Sequence, residues 1–323
     1  QKQAYRRSSM SHHKILVVED DAGLREALID TLSLAHYQCV EADSAESALL
    51  LLKNHHVDIV VSDVQMGGMS GLSLLKNIKN QNIVALCDVD WGYAKRCFDD
   101  YPDVKKYKDY RIMLDEMEKQ IDAVVIATPD HSHYISAANS MKRGMHVYVQ
   151  KPLTHSVWES RELTKLAEQT GVATQMGNQG NSSDDIRKVC EWIWNGEIGE
   201  VENVEAWTNR PIWPQGLERP TNSVPIPETL DWDLFIGPAP YRPYHPSYTP
   251  WNWRAWWDFG TGALGDMGCH ILDAPYKALE LGYPKDVECS VANIYEKIWT
   301  ANYYPEGPPA ASLITLHFDK TSK

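Results

Sequence analysis

Asp122-Ala-Val-Val-Ile-Ala-Thr-Pro-Asp-His-Ser-His133 is an apolar run of strand length, closed by a polar turn that opens a helix. Repeated along a chain, this strand-turn-helix pattern is the sequence form of a parallel sheet covered on both faces. The pattern recurs outward from the stretch. Toward the carboxyl end, the spacing predicts strands over 146–149 and 172–175 with helices over 134–143 and 156–169. Toward the amino end it predicts a strand over 83–87 and a helix over 111–119. The expected fold class is α/β. Thr128 to His133 could serve merely as a turn and N-cap, yet it stands at a strand's carboxyl end, where open α/β sheets bind ligands.

Further upstream a second α/β pattern occupies the chain, and it stops near Asn80. Strands are expected over 14–18, 37–42 and 57–62. Helical spacing links Leu24, Leu28 and Leu32, and again Ala45, Leu49 and Leu52, with Ser44 as N-cap and a third helix from about Leu72 to Lys79. Glu19 and Asp20 follow the first strand and Asp63 the third, an acidic set suited to Mg²⁺ and phosphoryl chemistry. Downstream of the seam, Asp88 closes its strand. An acidic side chain there accepts hydrogen bonds from both ribose hydroxyls of NAD and disfavours a 2′-phosphate, so NAD is expected over NADP. Alone, Asp88 reads equally well as a turn or capping residue.

The chain of 323 residues is long enough for two or three domains. A net charge of −13 argues against a nucleic-acid surface, which needs clustered Lys and Arg. No apolar run approaches the roughly 20 residues that span a bilayer. The six cysteines lie far apart with no CxxC, so a reducing compartment and a cytoplasmic location are expected, with neither a disulfide framework nor a zinc ribbon. Residues 1–13 carry no apolar h-region and are expected to be a disordered leader.

Residues 14–79 resemble a partial CheY-like response-regulator receiver domain. The resemblance implies that Asp63 is the phosphoacceptor and that Glu19 and Asp20 hold Mg²⁺ beside it, with Arg25 in the helix that follows. The loop from Asp63 to Gly71 fits the receiver pattern, with Gly67 where Pro is usual. Tyr93 and Asp115 stand where the family places a Ser or Thr and a Lys, so the receiver pattern ends early.

Residues 82–318 resemble Gfo/Idh/MocA-type oxidoreductases through four phrases in family order: Ala85-Leu-Cys-Asp-Val-Asp90, Asp122 to His133, His146-Val-Tyr-Val-Gln-Lys-Pro-Leu153, and Trp256-Trp-Asp-Phe-Gly-Thr-Gly-Ala-Leu-Gly-Asp-Met-Gly-Cys-His270. The resemblance implies a parallel Rossmann-like sheet, hybrid with the receiver-like segment, and a C-terminal α+β domain with an open sheet. It implies hydride exchange between a nicotinamide and a hydroxyl of a sugar-like or cyclitol-like small molecule. Lys151 would favour the developing alkoxide, His270 would act as general base, and Asp266, one helical turn before His270, would orient it or bind a neighbouring hydroxyl. Asp88, Thr128, Pro129, His131, His133, Gln150 and Lys151 would line the cofactor site. Gln150 replaces the usual Glu, and the Lys151–Pro152 bond is a candidate for the cis form. Asn178, Tyr248, Arg254 and Asp258 are candidate substrate contacts. A metal at Asp266 with His270, or at His131 with His133, lacks the further ligands a site needs.

The family's usual opening strand with GxGxxG is missing; Gly67-Gly68-Met69-Ser70-Gly71 is a weak substitute, and Asp63 opposes phosphate there. Four segments are expected: the leader, the receiver-like 14–79, a partial dinucleotide-binding domain over 80–176, and a substrate and oligomerisation domain over 177–323, truncated at its end and able to form a homo-oligomer through its sheet. Strands are expected there over 201–207, 286–295 and 311–318. Two other functions fit: a phosphoacceptor signalling module, and a glycosidase that uses retained NAD for transient oxidation.

Overall fold

The computed structural model describes residues 14–18, 25, 29, 38–54, 57, 59–62, 82–302 and 304–319, and the chain divides into two compact units, Gln1–Ile83 and Val84–Lys323. In the first unit, β1 (Lys14–Val18), β2 (Gln38–Ala42) and β3 (Ile59–Ser62) form a parallel sheet in the order β2-β1-β3. Flanked on both edges, β1 pairs Leu16 with Val40 on one side and with Val60 on the other. Its Ile15 to Val18 are buried, as a continuous apolar run in a central parallel strand should be. Helix α1 (Ala45–Asn54) packs Ala48 into the core with Leu16, Val18, Ala42 and Val57. Ser44 caps it, accepting the Ser47 N–H at 3.2 Å. Arg25 pairs with Glu41 at 3.2 Å. Glu19, Asp20, Asp63 and the Gly67–Gly71 loop lie outside the described residues.

The second unit opens with β4 (Ala85–Cys87), α2 (Lys95–Asp100), β5 (Lys105–Tyr107) and α3 (Tyr110–Met117). There follow β6 (Ala123–Ile126), α4 (Asp130–Lys142), β7 (His146–Gln150), α5 (Val157–Thr170) and β8 (Thr174–Gly177). Two parallel blocks result, β4-β5 and β6-β7-β8. A six-stranded doubly wound sheet would carry one more strand between β4 and β6. Among the described residues none lies there. A shared core nevertheless joins the blocks: Val84, Ala85 and Cys87 of the first and Val124 of the second pack on Met113, Leu114, Met117, Ile121 and Met145. Helix α5 starts in a full capping box between Ser156 and Glu159 and stops at Gly171, whose φ of 68° is left-handed.

Beyond β8 come α6 (Asp184–Trp194), α7 (Trp232–Ile236), α8 (Gly262–Ile271) and α9 (Asp273–Ala278). Around α7 an aromatic core gathers Trp213, Trp232, Phe235, Tyr244, Tyr248, Trp253, Trp256 and Phe259. β9 (Asp286–Ala292) and β12 (Ala311–His317) make an antiparallel ribbon, and β10 (Tyr295–Lys297) with β11 (Thr300–Ala301) a small hairpin. The strand expected over 201–207 does not form: the segment has no regular structure, and Val204 and Trp207 are exposed. A strand persists only through a ladder partner, and β9 and β12 pair with each other. No helix among the described residues is long and apolar enough to cross a membrane.

Candidate active site

The site is assembled by two turns and a helix. After β6, Thr128 and Pro129 lead into α4, and the Thr128 hydroxyl accepts from Ser132 Oγ at 2.7 Å. After β7, Gln150 Oε1 accepts the Lys151 N–H at 3.0 Å, and the Lys151–Pro152 peptide is cis. His133 spans the two turns, its Nδ1 facing Pro152 O and its Nε2 facing Thr128 O, each at 2.8 Å. Helix α8 supplies the third element. Lys151 Nζ donates to Asp266 Oδ1 at 2.7 Å and to the Asp266 carbonyl at 3.0 Å, across 115 residues of sequence.

Asp266 is only 4% exposed and sits among cations. Arg254 Nε donates to the same Oδ1 at 3.3 Å, and Arg210 Nη1 lies 3.7 Å from Oδ2. Oδ2 itself is buried and has no hydrogen bond. The Arg254 guanidinium stacks 4.0 Å from the Trp251 ring centroid and 4.1 Å from that of Trp253. One turn after Asp266, His270 is half-buried. Burial lowers its pKa, Lys151 and Arg210 lower it further, and Asp266 opposes them. The imidazole is thus held neutral, able to accept a proton.

At the carboxyl ends of β4 and β6 lies a cleft of about 820 Å³, lined among others by Asp88, Tyr110, Thr128, Pro129, Phe235 and Arg254. The Asp88 carboxylate accepts the Asp90 N–H at 2.8 Å, and burial raises its pKa. Volume and placement suit a dinucleotide. Asp88 on one wall fits a ribose diol and Thr128 with Pro129 on the other fits the nicotinamide end. Among the described residues no glycine-rich turn stands where the pyrophosphate would lie.

Lys151, Gln150, Asp266, His270 and Arg254 are therefore brought together, with Asp88, Thr128 and Pro129 along the cleft. The remaining candidates sit elsewhere. His131 is 3% exposed, its Nδ1 3.2 Å from Phe259 O and its Nε2 2.9 Å from Phe235 O, and burial pushes its pKa down to about 4. Like His133 it ties backbone segments together rather than facing the cleft. Tyr248 is buried against Trp232, Trp256 and Phe259. Asp258 is engaged by Arg242 and, at 3.4 Å, by Arg219. Asn178, just past β8, holds a buried amide oxygen without a partner. Arg210 and the Trp251–Trp253 clamp were not legible as site residues; the only signal was their position in the aromatic, Pro-rich stretch. No group of three or more potential metal ligands occurs among the described residues.

Comparison with known proteins agrees with both halves of this architecture. Residues 64–178 match the family described as oxidoreductase family, NAD-binding Rossmann fold, and 194–292 match its C-terminal alpha/beta domain. Residues 15–89 match the response regulator receiver domain. The chain therefore carries a receiver-domain match followed by matches to both domains of the Gfo/Idh/MocA oxidoreductase family, and the receiver and Rossmann matches overlap over 64–89, around the seam at Asn80.

Individual relatives divide the same way. Response regulator protein FleR of Pseudomonas aeruginosa is 50% identical over 68 residues, 21% of this chain and 14% of that protein. The scyllo-inositol 2-dehydrogenase (NADP(+)) IolW of Bacillus subtilis is 23% identical over 206 residues, 64% of this chain and 47% of the relative. D-glucoside 3-dehydrogenase of Escherichia coli is 23% identical over 218 residues, 68% and 51% respectively. The chain spans about half the length of these two dehydrogenases. Among solved structures, the WlbA dehydrogenase from Bordetella pertussis matches over 95% of this chain and 68% of its own at 15% identity and a TM-score of 0.49.

Proposed function

We propose that the second unit is a NAD-dependent dehydrogenase acting on a hydroxyl of a sugar or cyclitol. The observation that carries this reading is the Lys151–Asp266 contact at 2.7 Å, which joins the Lys-Pro turn to the helix bearing His270. A bound nicotinamide supplies the hydride acceptor. The chain's own groups handle the proton and the charge. His270 takes the proton from the substrate hydroxyl, and the Lys151 ammonium favours the alkoxide that develops. Asp266 fixes Lys151 and offers its unpartnered Oδ2 to a second hydroxyl. Asp88 favours NAD, unlike the NADP named for IolW.

The test is a titration of NADH into the folded chain, followed by nicotinamide fluorescence under Trp excitation, and then a screen of cyclitols and glucosides for NADH formation. His270→Ala and Lys151→Ala should each reduce turnover. Full activity in either would refute the assignment, and glycoside hydrolysis without net NADH would replace it with the redox-assisted glycosidase. The exposed β9–β12 ribbon supports a homo-oligomer formed through that sheet, which light scattering tests.

A second reading rests on the β2-β1-β3 sheet and the receiver match over 15–89. In it Asp63 accepts a phosphoryl group with Mg²⁺ held by Glu19 and Asp20. Labelling by acetyl phosphate that disappears in Asp63→Asn supports this reading; absence of labelling ends it.

A further inference from the structure

We propose that Arg254 is a positioning residue, which holds the Asp266 carboxylate turned so that Oδ2 stays open to a substrate hydroxyl instead of closing on Arg210. The proposal rests on the dehydrogenase reading for what Oδ2 receives and on geometry for how Oδ2 is kept free. An ionised carboxylate oxygen has about two lone-pair sites. On Oδ1 both are in use, by Lys151 Nζ at 2.7 Å and Arg254 Nε at 3.3 Å. Oδ2 is buried and accepts no hydrogen bond, although Arg210 Nη1 stands only 3.7 Å away. That gap is too long for a hydrogen bond, and a turn of the carboxylate with a shift of the Arg210 side chain would close it. Lys151 does not oppose such a turn, because its second bond, to the Asp266 carbonyl at 3.0 Å, is independent of where the carboxylate points. Arg254 does oppose it, since its bond to Oδ1 is lost when the carboxylate turns away.

Arg254 is itself held in place. Its Nη1 donates to Trp251 O at 3.3 Å, and its Cζ lies 4.0 and 4.1 Å from the ring centroids of Trp251 and Trp253. The backbone beneath it is packed as closely. A Cβ on Gly260 would stand 2.6 Å from Arg254 Cα, so the turn Asn252–Ala255 lies directly against the segment that enters α8, the helix of Asp266. With its side chain 17% exposed against 35% for Arg210, Arg254 is the more enclosed of the two guanidinium groups near Asp266. Neutralising Asp266 is the simpler role, and any cation at this place would fill it. Direction is what the arginine adds, since a lysine ammonium has neither the planar fork nor a flat face to lay on the indoles.

The test compares the intact chain with Arg254→Lys and with Arg254→Lys combined with Arg210→Gln. Crystal structures read the separation of Arg210 from Oδ2 directly. Binding of myo-inositol and of methyl β-D-glucoside is read by quenching of tryptophan fluorescence, since Trp213, Trp251 and Trp253 surround Arg254. In Arg254→Lys, Oδ2 should come to about 3 Å from Arg210. A polyol that binds the wild type should then bind roughly tenfold more weakly, the range of one hydrogen bond to a charged group. Removing Arg210 as well should reopen Oδ2 and restore most of that affinity, whereas a merely neutralising role predicts no recovery. If Arg254→Lys does not fold, Trp251→Leu, at an exposed position, loosens the clamp with no change of charge and should show the same closure and the same recovery. An Oδ2 that stays unpaired in these variants, a polyol affinity that does not fall, or a loss that the Arg210 change does not recover overturns the proposal. Closure on Arg210 with no polyol bound by the wild type leaves the role of Arg254 standing and removes the dehydrogenase reading; polyol oxidation with Oδ2 unpaired throughout does the reverse.

Discussion

Replacing Asp266 by Asn keeps the shape of the side chain and removes the one carboxylate that three cations share. At an effective dielectric of about 20, a charge pair near 3 Å apart is worth roughly 5 kcal/mol before desolvation is counted. Lys151 and Arg254, both 17% exposed, make such contacts with Oδ1 at 2.7 and 3.3 Å. Much of that gain offsets the cost of taking the charges out of water. Breaking a buried pair from one side leaves the other charge stranded, which typically costs about 3–5 kcal/mol. The expected loss for Asp266→Asn is therefore about 3 kcal/mol or more. Urea unfolding followed by tryptophan emission measures it cleanly, because all 12 tryptophans lie beyond residue 84 and report the second unit alone. In the double variant Asp266→Asn with Lys151→Met, part of the loss should be recovered, since the stranded ammonium is gone. A loss below about 1 kcal/mol for Asp266→Asn, or no recovery in the double variant, would show that water or rearrangement neutralises the cluster and that Asp266 does not organise the site.

Three further outcomes are expected. His131 has a folded pKa of about 4 against an ordinary 6.5, so the unfolded chain binds the extra proton. Its contribution is complete above about pH 6.5 and disappears as the pH falls toward 4, a loss of up to roughly 3 kcal/mol. The difference between wild type and His131→Phe in urea unfolding should therefore shrink across that window, and a pH-independent difference would contradict it. Gly265→Ala would drive a methyl group into the Thr261 side chain, which holds the buried Asp130. It should cost about 1–3 kcal/mol, and Thr261→Ser, which keeps the clashing Oγ1 and Cβ, should not relieve it. Hydrogen exchange should separate the strands. Amides of β4 and β6 that point toward the unpaired edge should exchange quickly, whereas β7, flanked on both sides by β6 and β8, should be protected. Uniform protection would mean that another strand fills the gap.

The parts of the fold legible in the sequence are those where local pattern and tertiary role coincide. β1 and β7 are apolar runs buried in parallel sheets, and α5 carries its own start and stop in Ser156, Glu159 and Gly171. β5 was invisible because Lys105-Lys-Tyr107 has no apolar run and is a strand only through pairing with β4. The segment 201–207 failed in the opposite sense, with strand-like composition but no partner. The aromatic core around Trp232, Tyr248 and Phe259 is built from turns and short helices, so it has no period to read, and Tyr248 looked as much like a sugar contact as a packing residue. In the site, Lys151, Asp266 and His270 were legible through motif resemblance. Their geometry was not, since 115 residues separate the salt-bridged pair. His131 and His133 were misleading for a physical reason: at the start of a helix near a ligand cleft, a histidine packed against backbone carbonyls and one that touches a ligand have the same sequence signature.

The interrupted sheet decides what the seam means for function. A strand has two edges, and the position between β4 and β6 uses both. In β3 one edge is already engaged by β1, in register from Ile15↔Ile59 to Val18↔Ser62. Residues 59–62 can therefore complete the receiver-type sheet or fill that position, but not both. The receiver pairing is the one adopted in the first unit. The pyrophosphate of a dinucleotide normally rests on the turn that follows the missing strand, at a helix N-terminus. In the proposed reading Asp88, Thr128 and Lys151 would engage the parts of the cofactor on either side of that turn. NADH affinity is then the quantity most sensitive to the seam. It should be weak compared with an intact dinucleotide site while the β1–β3 pairing holds. Substitutions that disfavour that pairing, such as Leu16→Pro in the middle of β1, should leave the weak affinity unchanged if the two ends of the cofactor carry the binding, and raise it only if β3 is released to complete the sheet.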